Sequence, residues 1–140
     1  MEPPAAGFDA VVLAVSPHAH TRIAGVSLVE RGRRSASKAG ARRIRVLESA
    51  DDVRDLPAWA AERGDHAIVV VQAGDQLVHT PLLAPLAAAT GDRRLAVGPD
   101  GAYAGALWAE GAAADEAIAA IVSAGAAPGA ADRELADRWA

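Results

Sequence analysis

Thr21, Arg22 and Asp75 stand where side chains most often do chemistry in this 140-residue sequence, just past apolar runs that read as buried strands. Arg22 offers a planar guanidinium suited to a phosphate or carboxylate. The same reading admits Arg22 as one more surface arginine. Asp75 follows Gly74 after an apolar run. A carboxylate there suits Mg²⁺, which takes oxygen ligands and completes its shell with substrate phosphates. It equally suits a residue that braces the turn, and the residues alone leave both readings open. His18 and His20 lie two apart with no carboxylate beside them, which reads as a solvated loop rather than a metal site. A phosphate cradle built from backbone amides needs glycines, and none occurs between Phe8 and Ala24.

The elements that must position these residues follow from apolar periodicity. Asp9–Val15 and His66–Val71 read as strands buried on both faces, as in a parallel sheet, with Ile44–Leu47 a shorter third. Val26–Gly40 reads as a helix stopped by Gly40. Asp51–Arg63 reads as a turn leading into a helix that begins at Pro57. Thr80-Pro81 opens a helix with Leu82, Leu83 and Leu86 inward. Pro99-Asp100-Gly101 joins Leu95–Val97 to Ala102–Trp108 as a hairpin. Tyr103 and Trp108 fall on opposite faces of the second strand. That strand is the expected free edge, and so the expected surface of a homodimer. Ala114, Ala117, Ile118, Ile121 and Val122 mark another helix. Residues 1–124 thus form the expected α/β domain, and 125–140 a linker with a polar terminal helix. The alternation implies a three-layer α/β sandwich, its sheet mostly parallel with an added antiparallel hairpin, and ligands at the carboxyl ends of the strands.

Composition narrows the class. A net charge of -4 argues against a nucleic-acid partner. The absence of cysteine removes disulfide, thiolate-zinc and Cys-nucleophile chemistry. Met1–Phe8 carries no basic region or long apolar run, and no segment approaches the length of a spanning helix. The expected location is the cytoplasm.

In order and spacing, residues 9–83 resemble the N-terminal half of the sugar-phosphate nucleotidyltransferases. Val12-Leu13-Ala14-Val15 stands for the start of the L-A-A-G-x-G-T-R-L loop, Thr21-Arg22-Ile23 for its end, and Ala24–Arg31 for the helix that follows. Ala39–Val46 and Val69–Asp75 supply the next two strands. The resemblance implies a Rossmann-like, nucleotidyltransferase-like fold, phosphate binding at Thr21 and Arg22, and a first Mg²⁺ ligand at Asp75. Both loop glycines are replaced, however. The P-K pair of the family is absent, and Lys38 sits in a helix where it cannot substitute. A second metal carboxylate lies, in full-length members, beyond this length of chain.

A shortened, degenerate domain of this kind is similar to the one ahead of the membrane domain in some CDP-alcohol phosphatidyltransferases. The D-x-x-D-G motif of those enzymes does not occur here. The expectation is therefore an accessory domain with no catalytic residue of its own. A membrane domain of the same protein is its partner, at the cytoplasmic face, and a nucleotide of the CTP or CDP type its ligand if binding persists. Two alternatives stand beside it: an active minimal Mg²⁺-dependent cytidylyltransferase, and an α/β module for small-ligand binding or dimerisation. A receiver would need an acidic pair after the first strand, where Ser16-Pro17 stands.

Overall fold

The apolar runs supply the centre of a five-stranded sheet. In the computed structural model, which describes residues 7–15, 17–23, 25–73, 80–124 and 131–140, strand β1 (Phe8–Leu13) is buried along its whole length. Strand β5 (Ala67–Gln72) is too. They pair in parallel, and β1 pairs in parallel on its other side with β4 (Ala41–Leu47). A hairpin completes the sheet. Strand β7 (Tyr103–Ala109) runs antiparallel to β5, and β6 (Arg93–Val97) antiparallel to β7, giving the order β4-β1-β5-β7-β6. The turn closes as the sequence predicts: Gly101 N–H donates to the Gly98 carbonyl at 2.9 Å, and Gly101 takes φ 79°. A separate two-stranded ribbon, β2 (Arg22–Ile23) with β3 (Val26–Ser27), lies between β1 and the first helix.

Helices cover both faces. On one side α1 (Leu28–Lys38) and α3 (Thr80–Ala88) pack Ala36, Leu83 and Leu86 against Ala10, Val69, Val71 and Trp108. On the other, α2 (Ala50–Ala61), α4 (Ala112–Ser123) and α5 (Ala131–Trp139) pack against Val11, Leu13, Val70 and Leu107. Each Val or Leu so enclosed contributes about 1.5–3 kcal/mol of transfer free energy. Tyr103 and Trp108 belong to opposite faces, as their spacing requires. The β1–α1–β4 and β5–α3–β6 connections cross the same face in opposite directions. They therefore have opposite hands, which places α1 and α3 side by side.

Three expectations are corrected. The helix of the second crossover does not begin at Pro57: it runs from Ala50, with the Ser49 hydroxyl accepting from Asp52 N–H. Val53, Leu56 and Ala60 form one buried stripe through it, and Pro57 stands on the exposed side of the helix. The first helix starts at Leu28, because Ser27 caps it and Val26 belongs to the ribbon. Finally, Ala102–Trp108 is no free edge. β7 is enclosed between β5 and β6, and the edge strands are β4 and β6. Both edges carry paired arginines, Arg42-Arg43 and Arg93-Arg94, which discourage further pairing.

Candidate functional site

The carboxyl ends of β4, β1 and β5 are held together past their formal limits. Ala73 N–H donates to the Leu13 carbonyl at 2.8 Å, and Ala14 N–H to the Leu47 carbonyl at 2.8 Å. Helix α1 approaches this end closely because Gly32 has no side chain. A Cβ there would lie 3.2 Å from the Ala73 Cβ and 3.3 Å from the Val12 Cγ1. From β1 the chain makes a short 3₁₀ turn at Pro17–His20, enters the ribbon, and only then starts α1. The start of that helix is already satisfied. Leu28 N–H donates to the Thr21 carbonyl at 3.0 Å, and Glu30 N–H to the Ser27 hydroxyl at 3.2 Å.

Thr21 and Arg22 are exposed, with the Arg22 guanidinium folded back toward the Gly25 carbonyl at 3.5 Å. Asp75 and the His18 side chain lie outside the described residues. His20 Nε2 stands 3.5 Å from a carboxylate oxygen of Glu48, linking the first loop to the start of α2. Among the described residues, no three His, Asp or Glu side chains converge as metal ligands would.

A polar cluster at the same end of the sheet was not foreseen. Asp132, in the first turn of α5, is 1% exposed. It accepts from the Gln72 amide, at the tip of β5, at 3.0 Å. It also accepts from the Tyr103 hydroxyl, at the start of β7, at 2.7 Å. Burial raises the Asp132 carboxyl above its usual range, with bonds from Tyr103, Gln72 and the Arg133 and Asp132 amides offsetting part of that rise. Burial, together with the adjacent Asp132 carboxylate, pushes the Tyr103 hydroxyl well above its own. The other end of α5 is held by Glu116 of α4, which accepts from Trp139 Nε1 at 3.0 Å, Arg93 at 3.0 Å and Arg138 at 3.1 Å. Those donors bring Glu116 down to about 2. The terminal helix is thus fastened at both ends. Its sequence is charged at five of the nine positions Ala131–Trp139, so only the spacing of Ala131, Leu135 and Ala136 hints at a buried stripe.

Toward the amino end of the sheet Asp9, fully buried, meets two guanidinium groups. The register passes from Phe8 opposite Ala41 to Asp9 opposite Arg43, leaving Arg42 as an extra residue in a bulge. Both arginines then reach the same carboxylate, Arg42 with two bonds of 3.1 Å and Arg43 with bonds of 3.0 and 2.6 Å. Arg43 also stacks over Trp59 at 4.4 Å. Burial acts to raise the Asp9 carboxyl, but the bonds from Arg43 and Arg42 outweigh it and hold the group below its usual range. The Nε and Nη2 groups of both arginines bond within the fold. This cluster is structural.

No family model matches the chain, and no curated protein matches it either. The architecture above is what bears on function.

Proposed function

We propose that this chain is a nucleotidyltransferase-like α/β domain without transfer activity of its own, the accessory part of a CDP-alcohol phosphatidyltransferase-type protein. The observation that carries this reading is the start of α1, where Leu28 and Glu30 N–H groups bond to Thr21 and Ser27 instead of facing an open loop. A helix start offers few free amides, and phosphate binding at such a place depends on them. Nucleotidyl transfer is catalysed mainly by positioning and by neutralising charge on the phosphates. A loop with no glycine between Phe8 and Ala24 and with its nearby amides bonded internally supplies little of either. The mostly parallel sheet with its antiparallel hairpin agrees with the architecture that the resemblance implies. What remains for an anion is Arg22, exposed and weakly engaged by Gly25.

Calorimetry with CTP and Mg²⁺, together with turnover assays on a panel of sugar and alcohol phosphates, tests the proposal. The expected result is no turnover, with any nucleotide affinity weakened by Arg22→Ala. Mg²⁺-dependent release of pyrophosphate that Asp75→Asn abolishes would overturn it in favour of a minimal cytidylyltransferase.

A further inference from the structure

The two helical layers carry opposite charge. Helices α1 and α3 together hold four cations (Arg31, Arg33, Arg34 and Lys38) against one carboxylate, Glu30. Across the sheet, α2, α4 and α5 hold eight carboxylates against three arginines. Sequence composition hides this, because the excess of one layer cancels part of the other in a net charge of -4. On α1 the Arg33 and Arg34 side chains are 47% and 60% exposed, and Lys38 is exposed as well. Glu30 accepts from both Arg33 and Arg34 and falls to about 2, as a lone carboxylate among cations does. Beside this ridge α3 has no charged residue at all, and its Pro85, Ala87 and Ala88 face solvent.

We infer that the α1/α3 layer is a docking face for an anionic lipid bilayer. A basic ridge next to an uncharged, apolar helix is the pattern that suits a negatively charged leaflet. The acidic layer on the far side makes the molecule a dipole, so that one orientation is attracted and the opposite one repelled. A nucleic acid fits less well. Neither α1 nor α3 carries an aromatic side chain on which a base would stack, and α3 offers a phosphate backbone no cation. The inference goes beyond the proposed function and stands whether or not that reading holds.

Co-sedimentation of the whole chain with vesicles tests it, using phosphatidylcholine alone against equal parts phosphatidylcholine and phosphatidylglycerol. Each cation near an anionic leaflet multiplies partitioning about fivefold, so three net charges predict a rise of about a hundredfold at low salt. The rise should vanish near about 0.5 M salt, where the screening length is roughly 4 Å. Arg33→Glu with Arg34→Glu and Lys38→Glu should abolish it, and Lys38→Glu alone should lower it about twentyfold. Arg54→Glu, on the acidic layer, should leave it unchanged. Equal binding to both vesicles would overturn the inference. So would indifference to Lys38→Glu, or displacement from anionic vesicles by duplex DNA at matched phosphate concentration.

Discussion

Asp9 and Asp132 are both removed from water, at 0% and 1% exposure, and sit toward opposite ends of one sheet, yet their surroundings treat a negative charge in opposite ways. Asp9 faces two guanidinium groups that hold it ionised. Asp132 is bonded, among the described residues, by an amide, a phenol and backbone N–H groups, and burial holds its carboxyl above the usual range. A buried ion pair is costly to break because the survivor is left uncompensated. A buried carboxyl with neutral partners can take up a proton instead, so its loss costs hydrogen bonds rather than a stranded charge. The amino end of this sheet is thus fastened by charge and the carboxyl end by a latch that can accept a proton.

The largest test of that contrast is Asp9→Ala. It strands Arg42 and Arg43 beside a void, and the expected loss is about 3 kcal/mol, at the low end for a broken buried pair because both arginines reach solvent. Urea denaturation reads it directly. A loss below about 1 kcal/mol would class the cluster with exposed ion pairs and remove the contrast.

Asp132→Ala comes next, with about 2 kcal/mol expected from removing the acceptor of the Gln72 amide and the Tyr103 hydroxyl. Asp132→Asn separates charge from bonding. Because the folded carboxyl lies above its ordinary value of 3.8, the folded state keeps a proton that the unfolded chain has released, so this group's contribution falls as pH rises from 3.8 through the raised value. The Asn variant should therefore gain on the parent protein as pH increases over that range. Asp9 works the other way. Its contribution is present above 3.8 and is lost as pH falls through its lowered folded value, so Asp9→Asn should flatten the acid side of the stability profile. If the two Asn variants shift the profile in the same direction, the comparison fails.

How far the sequence reveals these clusters depends on the range of the interaction. β1 and β5 were legible because two-sided burial demands continuous apolar runs, and the hairpin because Gly101 and Asp100 fix its turn locally. Pro57 misled because propensity speaks for one residue, whereas the Ser49 cap and the Val53-Leu56-Ala60 stripe hold the helix on both sides of it. The enclosure of β7 was illegible, since strand order is a tertiary fact that a hairpin alone does not specify. Thr21 and Arg22 were found as a loop pair, but the ribbon that turns them outward has only two residues in each strand and leaves no periodic trace. Asp132 resembles any acidic residue in a first helical turn. Its partners Gln72 and Tyr103 lie 60 and 29 positions away, and no local pattern joins them.

The smallest expected effect discriminates most finely. Tyr103→Phe removes one donor to Asp132 and leaves the ring in place against its cluster. The average cost should be about 1 kcal/mol, near the usual net worth of one hydrogen bond. The pH dependence of that cost carries the argument. The phenol helps the ionised form of Asp132, so its removal should raise the carboxyl further and extend the loss of stability to higher pH. The difference between Tyr103→Phe and the parent protein should accordingly widen as pH rises, and Asp132→Asn should abolish that widening in the double variant. A difference that stays constant with pH would mean that the hydroxyl serves packing alone and that Asp132 does not change its protonation at this end of the sheet.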